Sequence, residues 1–245
     1  MKIPTILLDS SSASSFNLFN PNQWNNQSRG VIQSCATERS VINFCFERLN
    51  NICKNADKYC YYHLETLQQQ WKKSHWDLLQ GIYFAQVPEI HLLIEAFFSG
   101  IKSLLDLLVQ LLSTEKIVGV EVDGFHRTGD IYGGRVLNTL ESNVKVEKRN
   151  IAEVCSTLIK THKEIWIDNV IQTRDFLIHP MRYVHQLMFE INLAAEDDNL
   201  ICKSIVPPHI GDIPIYEYAE QQILNIDKFA KTFLSAIVIK NNETF

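Results

Sequence analysis

Two cationic side chains at the end of one apolar helix are the residues in this chain best placed to do chemistry. They stand in Arg174-Asp175-Phe176-Leu177-Ile178-His179-Pro180. Arg174 falls one turn after Val170 and two after Trp166, so its guanidinium emerges beside an apolar row. A guanidinium taken out of water there needs a carboxylate, a phosphate or a carbonyl to offset its desolvation. On a regular helix the step from Arg174 to His179 turns through about 500°, so the two would not stack. They converge only because Pro180 ends the helix and leaves the backbone around His179 irregular. The plain alternative is structural: cations near a helix C-terminus favour its dipole and cap its last carbonyls.

Other chemistries find weaker footing. Cys53, Cys60 and His63 share one predicted helix, but structural zinc takes four ligands and draws them mainly from turns, so they read as core. No zinc protease or deaminase spacing occurs, and no metal or cofactor site is expected. Cys45, Cys53, Cys60 and Cys155 fall on predicted core faces, without the electropositive setting of a nucleophilic thiolate. Nor does the chain carry a Gly-x-Ser-x-Gly elbow. Residues 117–146 read as loop, with Gly119, Gly124, Gly129, Gly133 and Gly134, yet they lack the Gly-Lys-Ser/Thr ending of a phosphate loop. His126, Arg127 and Arg135 would let this stretch cover a small anionic ligand, with Arg127 and Arg135 holding a phosphate.

The run Arg174-Asp175-Phe176-Leu177-Ile178-His179 resembles the Arg-x4-6-His motif of the HEPN superfamily. The order of elements is similar too: two long helices, a motif-bearing helix, then a final helix. Lys102-Ser103-Leu104-Leu105-Asp106 also looks like a segment of HEPN-like members. The resemblance implies a metal-independent RNA endonuclease, or a catalytically silent relative that serves as a helical interaction module. On the active model two protomers bring their motifs together. His179 is then the general base or acid for attack of a ribose 2′-OH on the adjacent phosphate, and Arg174 holds that phosphate. Asp175 departs from the Asn or His often found at its position. It sets a negative charge beside the phosphate unless it orients Arg174 or His179. Asp106 and Ser103 are the expected supporting residues. The family also suggests a toxin–antitoxin or phage-defence setting with an antitoxin partner. In the silent alternative Arg174 pairs with Asp106 and His179 is a cap.

These residues need a mainly α frame. Residues 1–33 are rich in Ser and Asn and read as an irregular arm, anchored by Phe16, Phe19 and Trp24. Residues 34–245 read as one helical HEPN-like domain. An apolar stripe runs at helical spacing from Ser34 toward Gly81, as one long helix or two in tandem. Pro88 and Glu89 mark the start of a helix reaching about Leu112, apolar on most sides. Its polar exceptions are Glu95, Ser99, Lys102, Ser103, Asp106 and Gln110, a solvent face or the wall of a cleft. A further helix spans 148–178. Then Leu187, Phe189, Ile191 and Leu193 alternate with polar neighbours, and Leu200–Val206 follows a polar turn. That predicts a β-hairpin at about 183–206, inserted before the last helix.

Composition bounds the rest. With 46% hydrophobic and 21% charged residues, the chain is neither disordered nor a fibrous rod. A net charge of -5 argues against a grip on long DNA, and any RNA contact must use a local pocket. No run approaches a membrane span, and no secretory signal is evident. The six cysteines read as reduced thiols of a cytoplasmic protein.

Overall fold

Asn25 starts the first helix. In the computed structural model, which describes residues 24–74, 81–178, 187–196 and 199–242, its side-chain oxygen accepts the N–H groups of Gln27 (2.8 Å) and Ser28 (3.0 Å). This N-cap satisfies donors that the first turn cannot pair within the helix. Helix α1 therefore spans Asn26–Lys54. Residues 26–33, expected as irregular arm, are its opening turns. Ser and Asn read as loop formers in a composition count, yet at a helix start they are favoured caps. Phe16 and Phe19 lie outside the described residues, and Trp24 is buried. The Asn25 amide also donates to the Thr114 carbonyl (3.1 Å) and to Glu115 Oε1 (2.7 Å). Asn25→Ala should cost about 1–2 kcal/mol. In a thermal melt that is a Tm lower by about 3–6 °C, and an unchanged melt would deny the cap any weight.

The long stripe is two helices, α1 and α2 (Ala56–Ser74), parted at Asn55. Helix α3 begins at Pro88 as the sequence predicts and runs to Thr114. Helix α4 (Gly134–Ser142) lies inside the stretch expected to be loop-rich. Gly133 precedes it at φ +66°, where a Cβ would come within 2.3 Å of the Phe125 ring. Only glycine fits that turn.

The helix expected over 148–178 is continuous from Arg149 but not uniform. It comprises α5 (Arg149–His162), a π-helical turn (Lys163–Ile167) and α6 (Asp168–Ile178). At the junction Trp166 Nε1 donates to His162 Nδ1 (2.9 Å), which places the imidazole proton on Nε2. Phe229 packs edge-on against both rings. Burial holds the His162 pKa below its ordinary value, and Lys228 lowers it further. An unfolded chain would protonate this histidine below about pH 6.5, whereas the folded one resists. Stability from this group is therefore full above that pH and lost as the pH falls. Melts between pH 7.5 and 5.5 should show a decline that His162→Gln flattens; equal slopes would refute it.

The hairpin pairs β2 (Met188–Glu196) with β3 (Asn199–Val206), antiparallel, with a register shift between Asn192 and Leu193. Phe189, Ile191 and Leu193 are buried, as the alternation predicts. Its turn at 197–198 lies outside the described residues. The sheet has a third strand that the sequence reading misses: β1 (Gly81–Gln86) pairs antiparallel with β2, from Gly81↔Leu193 to Gln86↔Met188. A short ribbon, β4 (His209–Ile210) and β5 (Ile213–Pro214), leads into α7 (Ile215–Asn242). The fold is mainly α with a small antiparallel sheet.

The described residues fall into two compact units, each drawn from distant stretches. The first comprises Met1–Asn43, Phe98–Gln172 and Gln222–Phe245; the second comprises Phe44–Phe97 and Thr173–Gln221. Ile42, Ile101, Leu105, Ile159, Phe229 and Phe233 are buried in the first, where Arg39 meets Asp227 through two hydrogen bonds (2.6 and 2.8 Å). Ile52, Cys60, Ile94, Phe97, Phe189 and Ile191 are buried in the second.

Candidate functional site

Arg174 and Asp175 stand near the end of α6, in the second unit. Neighbours in sequence diverge by about 100° on a helix, so they meet only if their side chains bend together. They do: Arg174 Nη1 donates to Asp175 Oδ1 at 3.1 Å, with each side chain 33% exposed. Arg174 Nε is buried and has no hydrogen-bond acceptor. A buried donor left unpaired costs about 1–3 kcal/mol, more when it belongs to a charged group. The guanidinium is thus fixed on one edge by Asp175 and unsatisfied at Nε. His179 lies outside the described residues, so the described part of the motif is Arg174 and Asp175.

Asp106 has partners within its own unit. In the first unit, its Oδ1 and Oδ2 accept Lys102 Nζ (2.5 and 2.7 Å), and Oδ1 also accepts the Phe125 N–H (2.6 Å). Both carboxylate oxygens are engaged within that unit, and Ser103 lies half-buried beside them on α3. The polar stripe of α3 is therefore neither an open solvent face nor a ligand wall over this length. It is the seat of the glycine-rich loop. Gln110 Nε2 donates to the Asp123 carbonyl (3.1 Å), and Ser113 Oγ accepts the Val122 N–H (3.4 Å). A Cβ at Gly124 would lie 2.9 Å from Asp106 Oδ1, which explains the glycine there.

The cations of this stretch and of the start of α4 are exposed and find partners within it. The Arg127 guanidinium lies 3.8 Å from the centre of the Tyr132 ring, a cation–π contact. Arg135 Nη1 reaches Asp123 Oδ2 at 3.4 Å, and His126 Nε2 lies 3.6 Å from Asp123 Oδ1. Arg127 and Arg135 are not gathered around a common space by these contacts.

No family model, curated protein or solved structure matches the chain. The reading of the site therefore rests on its own chemistry. Burial pushes the thiols of Cys35 and Cys53 up to about 12 and that of Cys60 to about 11. Those cysteines are protonated at neutral pH and poor nucleophiles. His63 Nε2 faces the Gln86 carbonyl at 3.3 Å, so it donates there. Among the described residues no cluster of three or more metal-binding side chains occurs, and no helix is long and apolar enough to cross a membrane.

One feature escapes the sequence reading because β1 does. Tyr62, His63, Thr66 and Gln70 on α2, with Tyr83 on β1 and Ile191 on β2, line a groove of about 230 Å³ in the second unit. Tyr62 is 76% exposed there. An aromatic left in water on an otherwise amphipathic helix was the signal available in the sequence.

Proposed function

We propose that this protein is a HEPN-like, metal-independent RNA endonuclease in which Arg174 holds the scissile phosphate and His179 moves the proton. The observation that carries this reading is the buried Arg174 Nε without an acceptor. An unmet buried donor weakens the fold, so such groups are few; among the described residues Asp168 Oδ1 is the other one. On a shift of the part-exposed side chain that opens Nε, a phosphate oxygen would supply the missing acceptor and gain from a planar, permanently charged fork. Asp175 supports the reading in the one way its charge permits, by orienting Arg174 from the side. On this proposal the 2′-hydroxyl attacks the adjacent phosphorus and the 5′-oxygen leaves, giving a 2′,3′-cyclic phosphate and a 5′-hydroxyl. Phe176, 39% exposed, lies between Arg174 and His179 in sequence and suits the homodimer contact that the HEPN resemblance implies. A toxin or defence role, with an antitoxin partner and a cytoplasmic site of action, belongs to the same proposal.

The test is incubation of the full chain with end-labelled, mixed-sequence RNA in EDTA. Cyclic-phosphate products support the reading. Intact RNA at every protein concentration and pH tried would instead favour the inactive interaction module.

A further inference from the structure

We infer that the groove between α2 and β1 is a binding site for a single unpaired nucleobase. The inference deepens the RNA-nuclease proposal and rests on it for its biological meaning, but the site itself is argued from its own lining. Tyr62, His63, Thr66 and Gln70 follow one another at helical spacing, so α2 presents them on one face. Tyr83 comes from the edge strand opposite, and the buried Ile191 lies beneath. The space, about 230 Å³, is below the roughly 300–1,000 Å³ of drug-sized sites and suits one ring system.

The chemistry of the lining narrows the occupant. No Lys, Arg, Asp or Glu is among the lining residues, so nothing there selects a phosphate or an ammonium. Two tyrosines offer aromatic faces for stacking. The Tyr62 hydroxyl can donate and accept, and polar side chains stand beside it. Thr66 Oγ1 donates to the Tyr62 carbonyl (2.9 Å) and keeps its lone pairs, and His63 donates through Nε2 to Gln86, which leaves Nδ1 an acceptor. Leu67, Phe84 and Ala85 complete the lining, so an uncharged planar ring, with apolar faces and a hydrogen-bonding edge, matches both parts of it. The acidic chain gives the same indication. With a net charge of -5 it gains little from the RNA backbone field, so stacking is the available source of affinity.

The experiment titrates the full chain into 2-aminopurine riboside, whose fluorescence is quenched when its ring stacks. Saturable quenching is expected, competed by adenosine and uridine but not by ribose 5-phosphate or benzyl alcohol. Because no cation lines the groove, the midpoint should hardly change between 50 and 300 mM salt. Tyr62→Ala should weaken binding on the order of tenfold, and its exposed position spares the fold. Absence of saturable quenching, quenching indifferent to Tyr62→Ala, or equal competition by benzyl alcohol would each overturn the site. The last would point to an aromatic side chain of a peptide. RNA cleavage in EDTA, run on the same preparations, separates the two proposals. Cleavage without base binding removes only the groove, and base binding without cleavage removes only the nuclease.

Discussion

Arg174→Ala should abolish RNA cleavage and leave the melting temperature almost unmoved. The two halves of that expectation come from different bonds. Losing a preorganised donor from a charged transition state costs about 10²–10³ in rate, and a guanidinium that offers two N–H groups to one phosphate falls at the upper end. Stability follows another balance. The Arg174–Asp175 pair is one-third exposed on both sides and contributes no more than about 1 kcal/mol. Against it stands the buried Nε without an acceptor, an expense of about 1–3 kcal/mol that the alanine removes. The net change is close to zero, with a slight gain in Tm the direction to expect. Arg174→Lys keeps the charge but loses the fork, so it should recover only a small part of the rate. His179→Ala should match Arg174→Ala in the cleavage assay. Asp175→Asn should reduce the rate by a smaller factor, on the order of tenfold, because it loosens Arg174 without removing it. A large fall in Tm for Arg174→Ala, with no cleavage by the wild type, would identify Arg174 as a structural residue.

How much of this was legible in the sequence depends on how local the cause is. Pro88 and Glu89 announce the start of α3 because capping is a matter of a few adjacent residues. The alternation from Leu187 to Leu193 shows as well, since one face of β2 is buried and the other is not. Strand β1 does not show. Its six residues follow directly on a strong helical pattern, open with a glycine that reads as a helix stop, and pair with a strand far along the chain. The π turn at Lys163–Ile167 is hidden for a similar reason, because its widening accompanies a bond between His162 and Trp166 that leaves the apolar spacing intact. For the site, the residue types were legible, and so was Asp175 as a residue that could orient Arg174, whereas the donors around Asp106 were not. Arg174 and Asp106 both read as polar groups beside apolar rows. Which donor Asp106 would meet besides Lys102 was decided by the loop after α3, whose path no periodicity describes.

That loop gives the second large effect. Asp106→Ala should destabilise the protein by about 2–4 kcal/mol, a Tm lower by about 6–12 °C. The carboxylate neutralises Lys102, which is 19% exposed, and accepts the Phe125 N–H at 2.6 Å. Removing it leaves a partly buried ammonium without its counter-charge and an amide without its acceptor. Phe125 is buried beneath this amide, so the loop loses the bond that holds its ring in place. Proteolysis should therefore begin in residues 117–133, and the Phe125 amide should lose its protection from hydrogen exchange before the helices do. Asp106→Asn separates the two contributions, because its amide oxygen can still accept the Phe125 N–H while the ion pair is gone. It should fall about midway between wild type and alanine. Gly124→Ala reaches the same contact from the loop side, since its Cβ would crowd Asp106 Oδ1. If Asp106 instead served Arg174, Asp106→Ala would slow RNA cleavage without loosening the loop. The geometry around Phe125 predicts the reverse: a loosened loop first, and any change in cleavage only in proportion to unfolding.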